Sequence, residues 1–60
     1  SNIHHLAYSC KDIEKTCNSF RDKGYGFLTK FYHAEAFNGA KVIFLLSPLN
    51  IIVELIEEND

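Results

Sequence analysis

Apolar positions recur with a period of two in several stretches of this chain and with helical spacing in one. Between Ile3 and Cys10, an extended backbone puts Ile3, His5, Ala7 and Ser9 on one face and His4, Leu6 and Tyr8 on the other. A helix is predicted next. Ile13, Cys17 and Phe20 stand at i, i+4 and i+7 and make one apolar stripe, with Lys15, Asn18 and Asp22 on the opposite side. Ser9 or Asp12 can cap its N-terminus, acidic residues fill its first turn, and Gly24 occupies the expected stop position. After the connection Tyr25-Gly26, a second, aromatic strand is predicted from Phe27 to about Ala34. Glu35 to Gly39 reads as a loop with an Asn38-Gly39 turn. Ala40 to Leu46 is a third strand, apolar on both faces. Ser47-Pro48-Leu49-Asn50 is a turn in which proline cuts the ladder, and Ile51 to about Glu57 is the fourth strand. The order is β-α-β-β-β, an α+β module with a mixed four-stranded sheet and one helix on one face.

The last strand contains the anomaly. Ile51-Ile52-Val53-Glu54-Leu55-Ile56 is a run of β-formers with a carboxylate in its middle. Alternation places Ile52, Glu54 and Ile56 together, so Glu54 points into an apolar layer. A carboxylate there is costly without a partner. A metal ion, a cationic partner or a catalytic role would account for it; so would an edge position from which it reaches water.

Strands three and four need cover on both sides, and the chain has one helix. The face carrying Ile52, Glu54, Ile56, His5 and Ala7 is left bare, a larger apolar patch than soluble proteins usually show. The pattern therefore predicts a second sheet against it, from an identical chain or from another module.

Composition narrows the class. A chain of 60 residues makes one domain at most, buries only about 60% of its unfolded surface and is marginal alone. The formal charge of −2 and scattered basic residues argue against nucleic acid as a partner. No run is long enough for a membrane span, and Glu57-Glu58-Asn59-Asp60 reads as a solvated end. Cys10 and Cys17 are too few for a disulfide scaffold and show no zinc spacing; read as reduced structural thiols, they point to the cytoplasm. With no methionine in the chain, Ser1-Asn2 reads as a tag-cleavage scar or the cut end of a longer protein.

The chemistry-bearing candidates are His5 and Glu54. They meet only if the first and last strands are neighbours with both side chains on the same face. Imidazole and carboxylate are ordinary ligands for zinc, iron, nickel, cobalt or manganese. Two ligands are half a site, and a two-fold pairing of identical chains would assemble an N2O2 set. A lone strand histidine is also often a hydrogen-bonded structural residue. His4 should face the helix side. His33 reads as a solvated strand end, Tyr8 and Tyr32 as packing residues, and Lys41 as a solvated lysine that could instead meet an anionic substrate. Neither a phosphate-binding glycine loop nor a Ser-His-Asp or Cys-His arrangement is supported.

Four segments carry a resemblance: Ile3-His4-His5-Leu6-Ala7-Tyr8, Asp12-Ile13-Glu14, Gly39-Ala40-Lys41-Val42-Ile43-Phe44-Leu45 and Val53-Glu54-Leu55-Ile56-Glu57. In this order they resemble one βαβββ module of the vicinal oxygen chelate superfamily, the glyoxalase, bleomycin-resistance and extradiol-dioxygenase group. The wording is most similar to the second module of methylmalonyl-CoA epimerases, then to lactoylglutathione lyases. The resemblance implies that two modules pair into a cup-shaped, partly open barrel. It also implies that His5 and Glu54 bind a divalent metal, with Glu54 a candidate catalytic base. Family enzymes hold substrate oxygens on the metal and move a proton next to a carbonyl through an enolate or enediolate. The turn Ser47-Asn50 is shorter than the epimerase loop, which speaks against an acyl-CoA substrate. Three functional readings follow: a metal-dependent isomerase or lyase acting on a small carbonyl compound, a non-catalytic binding protein of the bleomycin-resistance type, or a half-module of a larger enzyme. Sequestering members often lose the ligands, so the presence of His5 and Glu54 favours the first.

Overall fold

The computed structural model describes residues 5–58; Ile3, His4, Asn59 and Asp60, which figure in the sequence reading, lie outside them. Strand β1 (His5–Cys10) leads into helix α1 (Ile13–Asp22). Two short strands follow, β2 (Gly26–Phe27) and β3 (Tyr32–Ala34), then a 3-10 turn at Glu35–Phe37, and finally the long strands β4 (Ala40–Leu46) and β5 (Ile52–Glu57). The sheet order is β1-β5-β4-β2, with β3 also paired to β4. β1 runs parallel to β5 and every other pairing is antiparallel. This is the βαβββ module that the sequence pattern predicts, with one strand divided.

The helix ends follow from side chains that the sequence places there. Asp12 accepts from the Lys15 amide at 3.1 Å and caps the N-terminus. The orphan amide of Ile13 is taken by Glu57 Oε2 at 3.0 Å, so Glu57 docks the helix onto the end of β5. This corrects the expectation of a solvated end: Glu57 shares a face with Val53 and Leu55, and that parity turns it toward the helix. At the other terminus Gly24 adopts φ 92°, its amide bonds to Arg21 O, and the Tyr25 amide bonds to Phe20 O. These are the two bonds of a Schellman stop. Its accompanying apolar contact is the edge-on packing of Phe20 and Tyr25, with centroids 4.8 Å apart.

The predicted second strand is interrupted. Gly26 and Phe27 pair with β4, but the amides of Leu28 and Thr29 both turn to the same Phe44 carbonyl, at 2.9 and 3.4 Å. The Thr29 hydroxyl accepts from the Phe44 amide in place of a strand carbonyl. The chain bulges through residues 28–31 and regains the ladder at Tyr32. A side chain thus replaces one ladder bond, which strand alternation alone does not reveal. The β4–β5 turn closes as expected. Ser47 is buried, its hydroxyl accepts from the amides of Leu49 and Ile51, and Asn50 takes a left-handed φ of 63°.

One face of the sheet forms the core. Ile43, Leu45, Val53 and Leu55 pack against Ile13 and Cys17 of the helix. Each such side chain contributes about 1.5–3 kcal/mol by leaving water. The opposite face has no helix. The thin dimension of the molecule is 16 Å, room for one sheet and one helix layer. Among the described residues, no helix is long and apolar enough to cross a membrane.

Both cysteines are free thiols, Cys17 buried and Cys10 partly so. Burial pushes each above its ordinary value of 9.0. The unfolded chain therefore ionises first as pH rises, so this contribution to stability is full below pH 9.0 and is lost through the raised folded values. At pH 8, iodoacetamide is expected to modify Cys17 far more slowly in the native chain than in urea, read by mass spectrometry; equal rates would place the thiol outside the core. Asp12→Ala should cost about 1 kcal/mol in urea denaturation through loss of the cap.

Candidate functional site

The bare face of the sheet holds the two candidate site residues, His5 and Glu54. β5 lies between β1 and β4, so Glu54 stands in the interior of the sheet rather than at an edge. In register, its neighbours are Ala7 on β1 and Phe44 on β4. His5 is the partner of Ile52 and so shares the face of Glu54, one diagonal step away. Ala7 presents only a methyl group between them, which leaves the diagonal open. His5 Nε2 lies 3.2 Å from Glu54 Oε1. The sequence condition for these two residues to meet is fulfilled in both parts: neighbouring strands and a shared face.

The two partners differ in exposure. The Glu54 side chain is 10% exposed and that of His5 is 46%. The contact therefore has a dry end and a wet end. Desolvation of the carboxylate is offset by the imidazole, which donates through Nε2 in one tautomer or in the cationic form. The pair is not a strong source of stability, since water screens the histidine side.

Aromatic rings continue the same face. Phe44 lies 5.5 Å from the His5 ring, tilted by 46°. On its other side the Tyr32 ring lies nearly parallel, 8° off, with centroids 6.5 Å apart. Val42, Leu46, Ile52 and Ile56 complete the layer by register. Within the described strands, the ionisable groups on this face are His5, Glu54 and Tyr32.

The donor set and its spacing suit a first-row divalent cation. Donors each about 2.0–2.2 Å from a metal lie about 2.8–3.6 Å apart, the short end along an octahedral edge and the long end along a tetrahedral one. The His5–Glu54 separation of 3.2 Å falls in that range. Among the described residues, no cluster of three or more His, Cys, Asp or Glu could hold a metal. One chain therefore offers two donors, and any further ligands must come from solvent, substrate or another module.

The other candidates lie elsewhere. His33 pairs in register with Lys41, on the helix side, and its Nδ1 contacts Gly39 O at 2.8 Å across the Asn38-Gly39 turn. Lys41 is not a free solvated lysine. It donates to Glu14 at 2.9 Å and lies over the Phe31 ring, and its bond to Glu14 holds its pKa above the ordinary lysine value. Tyr8 is exposed beside Phe20. Tyr32 joins the bare face as packing, although its ring remains 41% exposed. Sequence reasoning missed the part played by Phe44. Its role follows from the β4–β5 register, which pairs it with Glu54 and is not set by the apolar pattern of β4.

Among solved structures, a glyoxalase family protein from Bacillus cereus has a similar fold. Its TM-score with this chain is 0.80 at 15% identity, covering all of this chain and 39% of that protein. The likeness shows the fold. This chain thus spans about two fifths of that protein's length. Neither a family model nor a curated protein matches the chain.

If Glu54 is held in place for chemistry rather than for folding, Glu54→Leu should leave stability unchanged or raise it, by about 0–2 kcal/mol. Urea denaturation measures this. A loss of stability larger than that range would make Glu54 a structural element.

Proposed function

We propose that this chain is one half of a metal-dependent isomerase or lyase that moves a proton next to a carbonyl of a small substrate. The observation that carries the reading is the pair His5 and Glu54, 3.2 Å apart on the bare face of a glyoxalase-like sheet, with the carboxylate nearly dry. A buried carboxylate that adds little to folding is the kind of group retained for a site.

His5 through Nε2 and Glu54 through Oε1 would hold a divalent ion, zinc, nickel, cobalt, manganese or iron. Such an ion supplies a Lewis acid for oxyanion charge that develops on a carbonyl oxygen. The chain's own residues do the rest. Glu54 is the one carboxylate on this face in the described strands, and Oε2, not engaged by His5, would take a proton from a substrate carbon. The aliphatic side chains of Leu46, Ile52 and Ile56 exclude water from beneath the substrate. The resemblance to methylmalonyl-CoA epimerases and lactoylglutathione lyases supports this reaction type.

The site is completed by pairing. A second copy, or another module of a longer protein, would cover the bare face and bring a second His-Glu set. Two copies of this module account for most of the length of a protein of which one copy spans 39%. Free thiols fit a reducing compartment, which makes the cytoplasm the proposed location. The second reading, a binding protein that sequesters a small molecule without chemistry, is favoured by the apolar and aromatic lining of the face.

Isothermal titration with each divalent ion separates these readings. Uptake by the native chain and its loss in both His5→Ala and Glu54→Ala, with far-UV circular dichroism intact, supports the metal site. Unchanged uptake in both variants removes the assignment. A chain that refuses every ion but binds apolar probes would favour the sequestering reading.

A further inference from the structure

We infer that Phe44 is a positioning residue for His5: its ring fixes the imidazole against the Glu54 carboxylate, while Tyr32 packs along that ring and Thr29 anchors the Phe44 backbone. As a statement about metal ligation this rests on the proposed function. As a statement about the geometry of His5 it stands on contacts alone.

His5 needs such support. It lies on an edge strand, nearly half of its side chain is exposed, and no strand pairs with the outer side of β1 among the described residues. A histidine so placed samples several rotamers, of which one brings Nε2 to Glu54. The contacts on the bare face form a closed triangle. His5 meets Glu54 at 3.2 Å, Glu54 is the register partner of Phe44, and the Phe44 ring meets the His5 ring at 5.5 Å. His5 and Phe44 stand on the strands at either side of Glu54, which is only 8% exposed although no helix covers its face.

Phe44 is itself held from two directions. Tyr32 lies parallel to it on the side away from His5. Its backbone sits where β2 leaves the ladder, and there the Thr29 hydroxyl accepts from its amide at 3.1 Å. Leu28 and Thr29 donate to its carbonyl. The bulge over residues 28–31 thereby keeps Phe44 in register although its strand neighbour has turned away. Hydrogen-bonded outer partners that orient a metal ligand typically cost about 10–100-fold in affinity when removed, and a ring that orients one by packing alone falls at the low end of that range.

The test uses the full chain and two readouts. In proton NMR of the metal-free protein, the His5 ring protons should show NOEs to the Glu54 side chain, which report the contact itself and not the ring current of Phe44. Phe44→Leu should weaken those NOEs severalfold while the strand amides keep their dispersion, and Phe44→Tyr should retain them. Thr29→Val provides a milder perturbation should Phe44→Leu fail to fold, and should weaken the NOEs part of the way. Titration with Co2+ alone should then show about tenfold weaker binding in Phe44→Leu, with near-native binding in Phe44→Tyr. His5–Glu54 NOEs that survive Phe44→Leu unchanged, or Co2+ affinity equal to the native chain's, would overturn the inference. A native chain that takes up no Co2+ would instead remove the metal reading, and the His5–Glu54 NOEs would still decide whether Phe44 sets the imidazole.

Discussion

The structure turns on one constraint: a carboxylate set into an apolar sheet face must be given partners where it stands. Glu54 lies on an interior strand, so it cannot reach past an edge to water. Its desolvation is offset locally by His5 and enclosed by Phe44. The surrounding features follow from this. Ala7 is small where a larger side chain would block the diagonal to His5. Phe44 keeps its register through Thr29 even though the neighbouring strand bulges away. A sheet built for folding alone would place an aliphatic residue at position 54 and dispense with the rest.

Much of the fold was legible because its signals are local. Asp12, Gly24 and the spacing of Ile13, Cys17 and Phe20 mark the helix within a residue of its observed limits. Ala40–Leu46 and the final strand stand out as apolar runs on either side of Pro48. What escaped depends on contacts between distant positions. The split of the second strand comes from a threonine hydroxyl replacing a ladder carbonyl, and no pattern of apolar residues encodes that. Glu57 looked like part of an acidic tail, yet its parity with Val53 and Leu55 carries it to the helix N-terminus.

The candidate pair was legible for a different reason. Alternation fixes the face of Glu54, and the resemblance singled out His5 as its partner; the parallel pairing of β1 with β5 then brings them together. The aromatic support was not read, because Phe44 looks like any core residue of an apolar strand until its register with Glu54 is known. The face count anticipated the bare layer, and the structure leaves it bare: α1 packs on one side of the sheet and the His5–Glu54 pair lies on the other. A half-site of two donors, an uncovered apolar layer and a length two fifths that of a similar fold all bear on one idea, that the functional unit holds two such modules.

That idea is tested most directly by native mass spectrometry of the chain with a divalent ion present, since one spectrum reports assembly and metal together. The account expects a dimer that retains the ion through desolvation. A monomer that stays metal-free at every ion concentration would contradict it, and would move the search for activity to whatever module this chain is paired with in a longer protein.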